Sequence, residues 1–567
     1  MSEMSGSEAL VESLRVEGIK RLFGIVGSAY VDVLDLTPKA GIRFIGVRHE
    51  QSAAHMADAY ARVTNTPGVC IVQNGPGATN LVTGIAAAYH AHSPVMAITP
   101  SPLSSQILTN AYQEANHVSI FSSITKWATQ VNRADRIPEF MRTAFRAAMS
   151  GGKGPVLVDI PRDFFYELVD VVIYEKENYR QTNVGGGDPA AIEKIAACLI
   201  EAKNPIIIAG GGVTWSDCTK DLLELAELLT IPVVTSYGHN DAVPSDHPLV
   251  VGSLGRGGSK AAMQICSKAD VILAAGSRLG PFTSLPYYDF DYLTPRSRII
   301  QIDIDPCQIG RYLPVEVGLA ADVKHAVRSI LASVKKMARK PIPVNAARTK
   351  TIEQAKSEWE SEMTAAFSEV HPIKPQFVYK IVNEVIPKDA IVTLDLGSLT
   401  GFAYSLLKFH EPRTLIAPLG FGNVGFGYPA GLGAKIARPE KTVVSIVGDG
   451  AFSMSIHEVM TAVQEEIPIV AIILNNSAWG AEKANQMYFY DQRYIGTELV
   501  NPDFAKVAQD MGAYGDRVET AGEIKSAVAK AIQQDKPAVI DIIVDPKEFS
   551  LPARRDALKK PVRRIYS

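Results

Sequence analysis

At 567 residues the chain is too long for one hydrophobic core, and its length points to about three domains. Hydrophobic residues make up 47% and charged residues 21%, the balance of a soluble globular protein. A net charge of -3 leaves no global field to attract nucleic acid or an anionic membrane. The five cysteines (Cys70, Cys198, Cys218, Cys266 and Cys307) lie far apart and form no C-x-x-C pair or zinc pattern, so reduced thiols in a cytoplasmic protein are expected. The opening stretch MSEMSGSEALVESLRVEG holds no apolar run of signal-peptide length, and no window reaches about 18 uninterrupted apolar residues, so no membrane span is expected.

In chain order, short apolar runs alternate with helical patterns. Leu22–Val26 precedes Gly27-Ser28-Ala29. Gly68–Gln73 (GVCIVQ) precedes Asn74-Gly75-Pro76-Gly77. Pro155–Ile160 (PVLVDI), Pro205–Ala209 (PIIIA), Val271–Ala275 (VILAA), Ile299–Ile304 (IIQIDI), Ala390–Leu394 (AIVTL), Val443–Val447 (VVSIV) and Ile469–Leu474 (IVAIIL) follow. Val/Ile runs closed by glycine and followed by a helix are the pattern of buried parallel strands, so the fold class is α/β with doubly wound sheets. Two polar breaks, Tyr179–Asp188 (YRQTNVGGGD) and Lys335–Ala347 (KKMARKPIPVNAA), read as linkers. They divide the chain into domains at about 1–180, 190–335 and 360–550, followed by a basic tail, 551–567. The first and third segments share one plan of strand, glycine turn and helix.

The stretch from Ser445 to Lys483, SIVGDGAFSMSIHEVMTAVQEEIPIVAIILNNSAWGAEK, carries the most chemistry. Gly448-Asp449-Gly450 stands at the carboxyl end of a strand, where open α/β sheets place ligands. The glycines admit close approach of backbone N–H groups to a phosphate. Residues 451 to 474 are expected to make one helix and one strand, which returns the chain beside Asp449, and Asn476 adds an amide oxygen. One carboxylate, one amide oxygen, a backbone carbonyl and two phosphate oxygens suit Mg2+, which prefers six oxygen ligands shared with phosphates. The spacing therefore predicts a magnesium-diphosphate clamp on two neighbouring strand ends.

This pairing resembles the cofactor motif of thiamine-diphosphate enzymes, with the metal on Asp449, Asn476 and the carbonyl of Ala478. The likeness implies three doubly wound parallel-sheet domains: pyrimidine-binding, central Rossmann-like and diphosphate-binding. Asp395-Leu396-Gly397-Ser398 looks like the second diphosphate loop. Leu419–Ala434 (LGFGNVGFGYPAGLGA) resembles the segment that bends the cofactor, with Val424 at the propping position. The stretch RHEQSAAHMADAYAR resembles the family's glutamate motif, making Glu50 the carboxylic acid that activates the cofactor's pyrimidine. Cofactor contacts are thereby implied for Gly27, Ser28, Asn74, Gly75, Pro76, Asn80, Gly397, Ser398, Gly422, Asn423, Val424, Gly448, Asp449, Gly450, Ala451, Asn476, Trp479 and Gly480. Tyr112-Gln113-Glu114 resembles an element of acetolactate synthases that turns Gln113 towards the reaction centre, with His117 close behind. In this family such sites form between two subunits, which implies a homodimer or a homotetramer.

Within the family, several stretches look most like the sulfoacetaldehyde acetyltransferases. They include GSAYVDVLDLTPKAGIRF (27–44), YGHNDAVPSDHPLVVGSLGRGGSKAAM (237–263), WGAEKANQMYFYDQRYIGTEL (479–499) and RRDALKKPV (554–562). That likeness implies acetyl phosphate formation from an anionic small molecule and phosphate, and a place in taurine metabolism. QNGPGATNLVTGIAAAYHAHSPVMAITP (73–100) reads instead like an acetolactate synthase, so carboligation or 2-oxo acid decarboxylation stays open. A sulfonate needs cations: Arg554 and Arg555, with Lys559 and Lys560, offer them from the tail. Glu482 and Lys483, just past the metal ligands, are further substrate candidates. Gly210-Gly211-Gly212, Gly276-Ser277-Arg278 and Asp303-Ile304-Asp305 mark a central turn where relatives bind FAD, ADP or nothing. Three glycines by themselves are weak evidence for a nucleotide, and no flavin is expected.

Overall fold

The structure is a computed structural model and describes residues 2–550 apart from 181–183, 287, 289, 295 and 339. Arg554, Arg555, Lys559 and Lys560 lie outside the described residues.

Three six-stranded sheets follow one another along the chain, each wholly parallel. The first runs in spatial order Arg43–Gly46, Arg21–Gly24, Gly68–Ile71, Val95–Ser101, Val156–Pro161, Trp127–Gln130. The third runs Leu415–Ile416, Ile391–Leu394, Val443–Gly448, Val470–Asn475, Ala538–Ile543, Tyr514–Val518. Counted within each sheet, both orders are 2-1-3-4-6-5, so the shared plan visible in the sequence is a shared topology. The middle sheet runs Val250–Ser253, Val233–Thr235, Pro205–Ala209, Val271–Ala275, Arg298–Asp303, Val317–Ala320, the 3-2-1-4-5-6 order of dinucleotide-binding sheets. The apolar runs named above all become strands, shifted by a residue or two. The inner strands are buried along nearly their whole length, which is why they read as continuous Val/Ile runs rather than as alternating ones.

The first and third sheets share one core. A single cluster of buried side chains runs from Phe23, Ile45 and Cys70 through Phe426 and Tyr428 to Ile473 and Val539. Its centre is the pairing of two helices, Glu50–Thr64 and Gly427–Ala437. Small residues permit the close approach. A Cβ on Gly433 would lie 2.2 Å from the Met56 carbonyl oxygen, and one on Gly68 would lie 2.0 Å from that of Ala57. Glu50–Thr64 starts with the His49 ring accepting the Gln51 N–H and stops at Asn65, which takes a left-handed φ of 59°.

Two expectations change. The stretch 335–347 is only partly a connector: Val323–Met337 is helical to its end, and Asn345 caps the helix Ala346–Ala366. That helix is fastened to the central unit, with Ile352 and Ala355 in its core and Arg348 donating to the carbonyls of Ala202, Lys203 and Leu229. Residues 451–474 contain not one helix but two short ones, Asp449–Ser453 and Glu458–Gln464, with a turn at Ser455 between them.

Candidate active site

In the third sheet, strand order reverses between Ile391–Leu394 and Val443–Gly448. Ligands of open α/β sheets sit outside the strand ends at such a point. Both candidate diphosphate loops emerge there. Val470–Asn475 lies next in the sheet, with Gly448 opposite Leu474, so Asp449 stands beside the Asn475-Asn476 pair as the sequence spacing predicts.

Asp449 is 1% exposed, and its Oδ2 accepts from the Ala478 N–H at 3.1 Å and from Asn501 Nδ2 at 2.7 Å. Burial pushes its carboxyl up to about 6, against the pull of those hydrogen bonds. The two asparagines divide the work. Asn475 is structural: it donates to Asp541 and accepts from Ser477 N–H and Asn501. Asn476 is buried, and neither its amide oxygen nor its amide nitrogen has a protein partner. Ser398 Oγ is buried and unpartnered in the same way. Gly480 brings the two together, since a Cβ there would meet Ser398 Oγ at 2.5 Å and Asn476 Nδ2 at 3.3 Å. Gly450 packs beneath Trp479, whose ring would stand 2.8 Å from an added Cβ. Gly448 faces open space. Buried polar groups are rarely left unpaired, so these orphans fit a ligand with metal and phosphate oxygens. Among the described residues no three of His, Cys, Asp or Glu cluster as a metal site. With Asp449 as its one anion, the donor set fits an oxygen-ligated cation.

Asp395 holds the neighbouring loop. It accepts the Leu396 and Gly425 N–H groups on Oδ1, at 2.8 and 3.1 Å, and the Gly427 N–H on Oδ2 at 2.6 Å. It thereby ties the Gly397-Ser398 turn to the segment of Gly422, Asn423 and Val424. Val424 is half-buried rather than core. Asn423 Nδ2 lies 3.1 Å from His55 Nε2 on the Glu50 helix, while its Oδ1 has no partner.

The first sheet places a second group at its own reversal, between Arg21–Gly24 and Gly68–Ile71. Glu50 opens its helix half-buried, and Asn80 Nδ2 donates to its Oε2 at 2.9 Å. Gln73, which sequence reasoning passed over, is the hub. It donates to Asn74 Oδ1 at 2.7 Å and to Gln113 Oε1 at 3.0 Å, and it accepts the Ala29 N–H at 3.3 Å. Its Oε1 would lie 2.2 Å from a Cβ on Gly27. Gly75 and Gln113 both take positive φ, 61° and 58°, so that the two loops meet with the Gln113 carbonyl 2.6 Å from where a Gly75 Cβ would be. Ser28, Pro76 and Asn80 are exposed, and Tyr112 and Leu108 on the Gln113 loop are 86% and 88% exposed.

His117 departs from its expected place near substrate. It is 1% exposed and both ring nitrogens are used: Nε2 accepts the Gly75 N–H at 3.0 Å, and Nδ1 is 2.8 Å from Asp159 Oδ1. The first bond fixes the tautomer, because an accepting Nε2 leaves the proton on Nδ1. Asp159 also accepts from Thr99 and Gln130. His117 therefore holds the Asn74–Gly77 loop from beneath. Lys483 pairs with Glu498 at 2.9 Å and lies over the Tyr494 ring, while Glu482 is exposed.

Among the described residues no hydrogen bond joins Glu50 itself to Asp449 itself, although Asn423 reaches His55 on the Glu50 helix and Glu458 accepts the Arg48 and His49 N–H groups. Asn501, Gln73 and Asp159, all missed in the sequence, support the residues that were found. Only the strand order and loop crossings bring them there.

The central unit holds a cavity of about 570 Å³ at its own strand reversal. Gly211, Gly212, Arg278 and Asp303 line it, together with Lys153 and Arg180 of the first segment. Burial holds His92 and His239 in its wall down at about 4 and about 3, and Lys153, stacked on Trp215, at about 8.

Residues 4–120 match the family model described as "Thiamine pyrophosphate enzyme, N-terminal TPP binding domain", residues 192–330 the "central domain", and residues 395–542 the "C-terminal TPP binding domain". Two relatives named sulfoacetaldehyde acetyltransferase, from Castellaniella defragrans and Alcaligenes xylosoxydans xylosoxydans, are each 40% identical over 99% of this chain. The match covers 97% and 96% of their own lengths. A protein named probable acetolactate synthase large subunit, from Methanocaldococcus jannaschii, is 36% identical over 96% of this chain and 93% of its own.

Proposed function

Since the chain belongs to the thiamine pyrophosphate enzyme family, we propose that it is an acyltransferase that converts sulfoacetaldehyde and phosphate to acetyl phosphate and sulfite. The observation that carries this reading is the 40% identity, over 99% of the chain, to proteins named for that activity.

Thiamine diphosphate would be held at its diphosphate end by Asp449, Asn476 and the Ala478 carbonyl through Mg2+, with Gly397, Ser398 and Gly448 around the phosphates. When bound, the cofactor would supply a carbon nucleophile able to store the electron pair left as the substrate's aldehyde carbon loses its proton, a pair that then expels sulfite, which departs with the electrons of the carbon–sulfur bond. The chain's own residues do the rest. Asn80 aims the Glu50 carboxyl, which would be placed to exchange a proton with the cofactor's pyrimidine. Asp395 fixes the segment on which Val424 would support the cofactor. Gln113, held by Gln73, would lie towards the reacting carbon, and phosphate would accept the acetyl group.

In the proposed active unit, a homodimer or a dimer of dimers, each site would take the Glu50 group from one chain and the Asp449 group from a second copy. Exposed apolar side chains beside each group support this: Val26 next to Gly27, Tyr112 next to Gln113, and Met454 after the Asp449 turn.

Purified protein with thiamine diphosphate, Mg2+, phosphate and sulfoacetaldehyde is expected to release sulfite and form acetyl phosphate, the latter only when phosphate is present. Absence of both products, with CO2 released from pyruvate, would move the reading to carboligation or decarboxylation. That alternative has its own support in the 36% identical relative named as an acetolactate synthase.

A further inference from the structure

We propose that Glu458 of the third sheet's unit is a positioning residue for Glu50, setting from another domain the point at which that carboxylate enters the site. The inference rests on the reading of Glu50 as the cofactor's activator.

Glu458 opens the second short helix after the Asp449 turn, and its side chain is fully buried. Its Oε1 has the His457 ring nitrogen Nε2 at 3.3 Å, and its closest partners are backbone and hydroxyl donors. Its Oε1 accepts the backbone N–H of Arg48 at 3.1 Å and that of His49 at 3.0 Å. Its Oε2 accepts the Thr461 hydroxyl at 2.6 Å and shares the Arg48 N–H at 3.3 Å. An ionised carboxylate is acceptor-only and suits this ring of donors, whereas a carboxamide would turn its own N–H groups against one edge of it.

The two captured amides are those of the residues immediately before Glu50. His49 is extended, with φ -145° and ψ 135°, and precedes the first helical residue, so its N–H has no partner within the helix. Glu458 thus pins the connection between Arg43–Gly46 and Glu50–Thr64 at the residue where the chain turns into the helix. Asn80 fixes where the Glu50 carboxyl points, and Glu458 fixes where its backbone begins. Glu458 lies nine positions after Asp449, so one short stretch carries the proposed metal ligand at one end and the anchor of a proton-handling group at the other. A shift on the order of 1 Å in a reacting group can lower a rate about 100-fold, so this anchor bears on catalysis without touching cofactor or substrate.

The test compares Glu458→Gln with Glu50→Gln and the unaltered enzyme. Three quantities are read: backbone deuterium uptake of the peptide spanning 44–52 without cofactor, deuterium exchange of the bound cofactor's thiazolium proton, and cofactor affinity by tryptophan fluorescence. The melting temperature is followed alongside. Glu458→Gln is expected to speed backbone uptake at 44–52 and to slow thiazolium exchange about 10–100-fold. Cofactor affinity and KM are expected to stay within about twofold, since the anchor touches neither ligand. Unaltered exchange at the thiazolium carbon would overturn the proposal, as would a loss of cofactor affinity and melting temperature in proportion to the rate, which is the mark of plain domain docking. If Glu50→Gln itself leaves thiazolium exchange unaltered, the reading of Glu50 fails and takes this proposal with it. If Glu50→Gln abolishes exchange and Glu458→Gln does not alter it, only the present proposal falls. Should Glu458→Gln not fold, Thr461→Val removes one donor and leaves both backbone bonds. It is expected to slow thiazolium exchange several-fold at unchanged melting temperature, and wild-type exchange in that variant would overturn the proposal.

Discussion

At the residue scale, the site separates groups that meet ligands from groups that aim them. Glu50→Gln keeps the shape and the Asn80 contact but removes the acid, so kcat is expected to fall about 10²–10⁴-fold with cofactor affinity retained. A wild-type kcat in that variant would remove Glu50 from the chemistry. Asn501→Ala leaves Asp449 in place but takes away its shortest hydrogen bond, the 2.7 Å contact from Asn501 Nδ2. Outer partners of metal ligands typically contribute 10–100-fold to metal affinity. The Mg2+ concentration needed for half-maximal cofactor binding should rise by about that factor, and an unchanged requirement would count against the clamp. Asp241 gives a pH prediction away from the site. Its Oδ2 accepts the N–H groups of Thr414 and Leu415, joining the central unit to the third, and burial pushes its carboxyl from 3.8 up to about 6. A raised pKa means that the folded state holds the proton more tightly than the unfolded one. The stability it contributes is therefore fully present below about pH 4 and lost as pH rises through about 6. Asp241→Asn keeps an oxygen for both N–H groups and removes the titration. The wild type should gain on the variant in melting temperature as pH falls from 6 to 4, and a constant difference across that range would refute the assignment. At this scale the sequence yielded the residues with unmistakable neighbours, such as Asp449 between glycines and Asn476 after an apolar run. It hid Asn501, Gln73 and Asp159, which sit in unremarkable stretches and matter only through what they bond across the fold. It also placed His117 near the reaction centre because it follows Gln113, whereas the fold buries it beneath the Asn74–Gly77 loop, bonded to Gly75 and Asp159.

At the scale of elements, the decisive contact is Glu50–Thr64 against Gly427–Ala437. Gly433→Ala would press a methyl group into the Met56 carbonyl, at 2.2 Å from the ideal position. Backbone cannot rotate away as a side chain would, so a loss of about 1–3 kcal/mol is expected, read as a lower melting temperature. Full retention would mean that the two helices slide freely. Buried strands were legible because both faces are covered by helices, which leaves Val/Ile runs with no polar interruption. Edge and short strands were not. Leu415–Ile416 has two residues and Trp127–Gln130 is only half-buried, so neither carries a distinctive pattern. The basic, proline-containing stretch at 335–347 looked like a connector, yet the helix after it docks through Arg348 on carbonyls whose positions only the fold defines.

At the scale of the molecule, two chains should complete each other. Glu50→Gln and Asp449→Asn, each inactive alone, form mixed dimers when refolded or co-expressed together. If each site takes Glu50 from one chain and Asp449 from its partner, one site of each mixed dimer is intact. About a quarter of wild-type activity should return from a statistical mixture of isologous dimers. No recovery would place both groups of a site within one chain. The sequence by itself determined the fold class, the three parallel-sheet units, the adjacency of the Asp449 turn and the Asn475-Asn476 pair, and the family. Those features are local: a strand end, a glycine turn and an oxygen ligand lie within a few residues of one another, and burial on both faces writes itself into composition. Only the tertiary structure decided which loops share a reversal point, which polar groups lie buried without a partner, and which residues hold the functional ones. Those depend on strand order and on contacts between residues hundreds of positions apart, such as Glu458 with His49, and no local pattern in the chain encodes such a pairing.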